Sequence, residues 1–181
     1  MNVRLSTLCT LFPLFLSACG LSLVAPCGAI EPLDRFPVES IVIDVHDRSY
    51  PFVVWVASTP PRRSQGLMQV SELEANRGML FLFDHPTRPA IWMKNVAIPL
   101  DLLFIAADGK IITLVCNVTP DSLRSIRPDD LVTGVMELPG GTAARLQLAT
   151  GARIRHAHFV PESRDSISSS INVRPYLIAK N

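Results

Sequence analysis

The chain has 181 residues, 48% of them hydrophobic and 18% charged, which excludes a disordered protein and supplies a core for one domain with a leader and a short tail. Lys and Arg number 17 against 16 Asp and Glu, a formal net charge of +1, so no strong field marks a nucleic-acid partner and none is expected. The 15 prolines sit mostly between apolar runs, a pattern that favours short strands and shaped loops over long helices.

The first 18 residues read as a signal peptide. Arg4 supplies a small positive start, and the apolar run that follows is too short for a comfortable permanent span. Leu16-Ser17-Ala18-Cys19 resembles the lipobox of bacterial lipoproteins, in which the cysteine is lipid-modified and becomes the first mature residue. That resemblance implies a membrane partner through an N-terminal lipid anchor at Cys19, and Gly20 after it points to the outer membrane. The alternative is a plain signal peptide cleaved further on, for example after Ala29, giving a soluble periplasmic or secreted protein. Cys9 leaves with the leader. Cys27 and Cys116 remain and could pair in an oxidising envelope, although Cys116 reads better as a buried strand residue. No C-x-x-C is present, which argues against a thiol-disulfide oxidoreductase.

Residues 19–39, with Pro26, Gly28, Pro32 and Pro37, read as a flexible tether, and the domain is expected over 40–158. Alternation predicts strands at 41–46 and 52–57, the second with Phe52, Val54 and Val56 on one face and Val53, Trp55 and Ala57 on the other. Ser58-Thr59-Pro60 predicts a helix start, ending near Gly66 and setting Leu67 and Met68 on the core, with Arg62 and Arg63 solvated. Residues 79–83 are apolar on both faces and need cover on both sides. A loop is expected over 84–89, a short strand over 90–93, and a hairpin of 100–106 with 110–117 around Asp108-Gly109. A polar loop over 119–130 leads to a strand at 131–138. Thr142 then caps a short helix over 143–149, and a last strand is expected at 152–158, with His156 and His158 on one face. Residues 159–181 read as a flexible tail. The expected fold is α+β: mainly antiparallel β, a compact barrel-like or curved sheet, with two short helices.

Six short blocks carry a family resemblance: Gln65-Gly66-Leu67-Met68, Gly78-Met79-Leu80-Phe81, Trp92-Met93-Lys94-Asn95, Ile98-Pro99-Leu100-Asp101, Asp108-Gly109 and Glu137-Leu138-Pro139-Gly140-Gly141. In this order they resemble domain-of-unknown-function family 192, over about residues 53–155. The resemblance implies a small, mainly antiparallel β domain with two short helices, usually in an envelope or secreted setting, and implies no reaction. One departure is Ala152, where the family usually places an aspartate after the glycine here numbered Gly151.

Trp92, Met93, Lys94, Asn95, Asp101 and Glu137 are the candidate ligand-binding residues. An aromatic face beside fixed amide and carboxylate groups suits a sugar or a peptide. Against this, Asn95 and Asp101 could serve only to bond backbone amides while Trp92 fills the core. Met68, Met79, Met93 and His85 form a weaker candidate set for Cu(I), since soft thioethers with an imidazole suit that ion; otherwise the methionines are core fillers. Asp101 and Glu137 could be drawn as the carboxylate pair of a hydrolase. No metalloprotease, nucleophile-elbow or phosphate-loop motif is present, and no catalytic residue and no cofactor are expected. The sequence thus points to an envelope-located, non-catalytic binding or accessory domain for an envelope glycan or peptide. The alternatives are a structural or assembly accessory binding protein partners, a Cu(I)-handling protein, and a hydrolase.

Overall fold

The computed structural model describes residues 30–160. The lipobox with Cys19, and Cys27 with its possible pairing to Cys116, lie outside the described residues. Seven strands form one sheet: β1 (Val38–Val45), β2 (Arg48–Ala57), β3 (Arg77–Thr87), β4 (Leu100–Ile105), β5 (Ile111–Val118), β6 (Val132–Pro139) and β7 (Arg153–Arg155), in the order β5-β4-β6-β3-β2-β1-β7. Two short helices interrupt them, α1 (Pro60–Gln65) and α2 (Thr142–Leu146).

Five of the six pairings are antiparallel. The exception is β2 on β3, which is parallel, so the chain between them must cross over, and α1 lies on that crossover. The sheet curls until its two ends meet. A backbone bridge joins Lys110 to Arg153, and the Ile154 amide donates to the Gly109 carbonyl at 2.8 Å. The result is the expected α+β architecture with a curved sheet and two short helices.

Both faces of the sheet are covered. One buries Ile41, Ile43, Val54, Leu80, Leu103 and Met136 with α2 against them; the other buries Ala57, Met79, Phe81, Leu102, Phe104 and Val135 beneath Leu67 and Met93. Strands β4 and β6 are therefore apolar on both sides, and β6 runs between β3 and β4 in the middle of the sheet.

Several local expectations give way to tertiary context. Residues 84–87, expected as a loop, continue β3, which pairs irregularly with β6 between Leu82 and Thr87. The irregularity gives Pro86 a place where no ladder amide is required. Residues 90–93 form a loop with one bridge, Ile91 to Ile126, instead of a strand. The Asp108-Gly109 turn is wider than two residues: Ala106 and Lys110 close it, with Gly109 at φ 84. The α2 N-cap is Gly141 at φ 86, and Thr142 is already helical. The last strand shrinks to β7, and His156 lies beyond it, its Nε2 2.7 Å from the Glu39 carboxylate. Arg62 is paired with Glu31 at 2.9 Å, not simply solvated.

The domain also extends past its expected limits. Phe36 is buried, the Val56 amide donates to the Pro37 carbonyl at 2.8 Å, and β1 begins at Val38. At the other end Phe159 is 5% exposed and packs on Gly134, where a Cβ would come within 2.7 Å of its ring. Phe159 is thus core. Phe159→Ala should lower the unfolding free energy by about 3 to 5 kcal/mol in urea denaturation, whereas Val160→Ala at an exposed site should stay within about 0.5 kcal/mol.

Candidate functional site

The two carboxylates picked from the sequence have separate environments. Residues directly opposite on paired strands share a face of the sheet. Asp101 on β4 lies opposite Leu138, and Glu137 on β6 lies opposite Leu102 and Met79. Asp101 therefore faces α2, and Glu137 faces the opposite side. No substrate bond can lie between them, so the hydrolase pair does not exist as drawn.

Asp101 is fully buried and its oxygens are occupied. Oδ1 accepts the Asn117 amide at 2.7 Å and the Gly141 amide at 3.2 Å, while Oδ2 accepts the Ala143 amide at 2.7 Å. It caps α2 from a different strand, the role expected of Thr142. The Asn117 contact coincides with a bulge in the β4–β5 pairing and with φ 51 at Asn117. Cys116 beside it is exposed, a correction to its expected burial: it lies next to the irregularity in the β4–β5 pairing, while Ile111 and Val118 on the same strand are buried. Its thiol is held above the ordinary range, first by partial burial and then by the Asp101 charge.

Glu137 is 4% exposed, and its Oε2 is buried without a hydrogen-bond partner among the described residues. Burial pushes its carboxyl up to about 8, so the group is predominantly neutral at pH 7 and can donate a hydrogen bond. It lines a cavity of about 340 Å³ between α1, β3 and the 89–96 loop. Leu67, Phe81, Phe83, Ile91 and Val96 supply apolar wall, and Arg63, Trp92 and Lys94 supply the charged and aromatic part. An apolar lining with a small number of polar side chains, here Arg63, Ser64, Gln65, Lys94 and Glu137, is the composition of a small-molecule or peptide site.

The wall is held by backbone bonds. Arg63 donates to the Leu82 carbonyl at 2.8 Å and lies over the Phe83 ring, which fastens α1 to β3. At Gly66, φ 53, the helix stops and the chain passes close to Phe81. The 89–96 loop is fixed by the 119–127 segment behind it, through Met93 amide to Ser122 carbonyl at 2.9 Å and the reciprocal Ile91–Ile126 bonds. Asn95 contributes backbone: φ 58, with its carbonyl accepting the Gln69 amide at 3.0 Å. Within this loop Met93 points into the core at 1% exposure, while Trp92 is 52% exposed with the Lys94 ammonium 5.7 Å from its ring centre.

The structure therefore brings Trp92, Lys94 and Glu137 to one cavity, with Met93 packed in the apolar cluster beneath, and places Asp101 elsewhere. Met79 and Met93 are buried in that cluster and Met68 packs against it, but His85 is exposed on β3. No group of three or more His, Cys, Asp or Glu gathers as a metal set among the described residues. Sequence reading missed Arg63, Phe81 and Phe83 as cavity residues. The Gln65-Gly66 block next to Arg63 was the signal that could have found the first.

Residues 41–156 match the family DUF192, described as "Uncharacterized ACR". A crystal structure of a "putative transcription regulator" from Sinorhizobium meliloti 1021 is 35% identical, with a TM-score of 0.67, over 72% of this chain and 99% of that one. A protein of unknown function from Novosphingobium aromaticivorans DSM 12444 is 27% identical, with a TM-score of 0.67, over 73% of this chain and 94% of that one. No curated protein matches the sequence.

Two outcomes follow from the carboxylates. Asp101→Ala leaves three backbone amides without their acceptor and should cost roughly 3 kcal/mol in denaturant unfolding. For Glu137 the folded value exceeds the ordinary one of 4.5, so the folded state holds the proton more tightly and stability falls as pH rises from about 4.5 to about 8. The loss across that window is roughly 5 kcal/mol at most. Glu137→Gln should remove this slope from a pH series of unfolding curves; an unchanged slope would show that Glu137 is ionised when folded.

Proposed function

The chain belongs to the uncharacterised family DUF192, and from that premise we propose that it is a non-catalytic binding domain of the bacterial cell envelope whose cavity takes a peptide. The observation that carries this is Glu137: a buried carboxyl with an unpartnered oxygen, lining a cavity that is otherwise largely apolar. Keeping such a group in a core is costly unless something bonds to it, and mutation to an apolar residue would remove the cost. A ligand that enters and accepts from it removes the cost differently. Apolar walls with few polar groups favour a peptide with an apolar side chain over a glycan, whose many hydroxyls would stay unpaired there.

The Sinorhizobium protein is described as a "putative transcription regulator", whereas in this chain 17 basic against 16 acidic residues supply little attraction for nucleic acid. For location, the lipobox ending at Cys19 supports a lipid anchor facing the periplasm. The native chain should incorporate a labelled fatty acid in growing cells and Cys19→Ala should not; no incorporation into the native chain would exclude the anchor.

A thermal-shift series on the full chain tests binding, with short apolar peptides and cell-wall oligosaccharides as probes. A ligand of the native state at a hundredfold excess over its dissociation constant adds about 2.7 kcal/mol of stability. Peptides should raise the melting point and Trp92→Ala, at a half-exposed cavity position, should reduce the shift. A response to oligosaccharides alone would replace the peptide by a glycan.

A further inference from the structure

The cavity lining holds two cationic side chains and one acidic side chain. Arg63 and Lys94, which line the cavity, form no ion pair among the described residues. Each lies over an aromatic ring of the same cavity instead, Arg63 5.2 Å from the centre of Phe83 and Lys94 5.7 Å from that of Trp92. Ring faces orient a cation without neutralising it. The acid among the lining residues is Glu137, and its burial keeps it neutral near pH 7. The cavity therefore carries net positive charge from two cations, with Glu137, Ser64 and Gln65 as its uncharged polar side chains.

A ligand that fits needs an anionic group for the cations, an apolar body, and a neutral acceptor for the carboxyl. The end of a peptide has all three within one residue of one another. We infer that the cavity takes the free C-terminus of a peptide whose last residue is apolar. The terminal carboxylate is held by Lys94 and Arg63, the last side chain lies among Leu67, Phe81 and Val96, and a peptide carbonyl accepts from Glu137. This rests on the peptide-binding reading above and narrows it to one end of the peptide. An apolar monocarboxylate could equally come from a free fatty acid, so the test carries both sources.

The probes are acetyl-alanyl-alanyl-leucine, its C-terminal amide, and octanoate, titrated into the full chain at pH 7 by calorimetry. The free acid should bind roughly tenfold more tightly than the amide, because a charge-assisted contact is lost in the amide. Lys94→Gln should bring the two affinities close together by weakening the acid alone. Glu137→Gln, which still donates, should bind the acid more tightly than Glu137→Leu, with both variants checked for folding by circular dichroism. Equal binding of acid and amide overturns the inference and leaves the peptide site standing. Binding of neither peptide overturns both. Octanoate binding as tightly as the acid overturns the peptide terminus and assigns the cavity to fatty acids.

Discussion

Asp101 ties together three parts of the chain that are remote in sequence. Its carboxylate takes backbone amides from Asn117 at the end of β5, from Gly141 in the turn after β6, and from Ala143 in α2. Without an acceptor there, the start of α2 would be buried with open amides, and a helix of five residues has no stability of its own to offset that. Once α2 is held, Ala143 and Leu146 can close one face of the sheet. Gly140 fits the same junction, since a Cβ there would come within 2.7 Å of the Asn117 side chain and 2.9 Å of Pro99. The Ile98-Pro99-Leu100-Asp101 and Glu137-to-Gly141 blocks are thus two sides of one junction.

The opposite face follows from the parallel pairing of β2 with β3. Parallel neighbours force a crossover, and that crossover brings α1 and Leu67 over the sheet. The 89–96 loop, running from β3 towards β4, arrives over the same face and inserts Met93 and Val96. These two covers meet without filling the space between them. Glu137, on the central strand β6, lies beneath that space. Its neighbour Gly78 allows the close approach of β3, since a Cβ there would lie 2.5 Å from the Glu137 carbonyl. The backbone around the carboxyl is thus tightly built beside the cavity that Glu137 lines.

Much of the fold was legible from local pattern. Alternation along 41–45 and 52–57 matches β1 and β2, and the division of Phe52, Val54 and Val56 from Trp55 and Ala57 corresponds to the two faces observed. Double-sided apolarity at 79–83 anticipated a strand covered on both sides. The hairpin of β4 with β5 around Asp108-Gly109 also formed as expected, whereas several judgements that depended on a distant partner failed. Residues 84–87 look like a loop, yet they continue β3 through an irregular stretch that ends with Thr87 paired to Val132 on β6. Thr142 looks like a cap because hydroxyls cap helices, yet a carboxylate from β4 was better placed. Cys116 looks buried from its apolar neighbours, yet it is exposed beside the irregularity in the β4–β5 pairing.

The candidate site divides in the same way. From the sequence alone came the short blocks that carry the resemblance, the aromatic and cationic residues around Trp92, and the strand periodicity. These are readable because they depend on residue type and spacing within a few positions. Only the tertiary structure decided that Asp101 and Glu137 face opposite sides of the sheet, and that one holds three amides while the other stays neutral above a cavity. The physical reason is that a carboxyl's charge and role are set by what surrounds it. For Asp101 those surroundings come from as many as 42 residues away along the chain, and for Glu137 they include Met79 on β3 and Arg63 in α1.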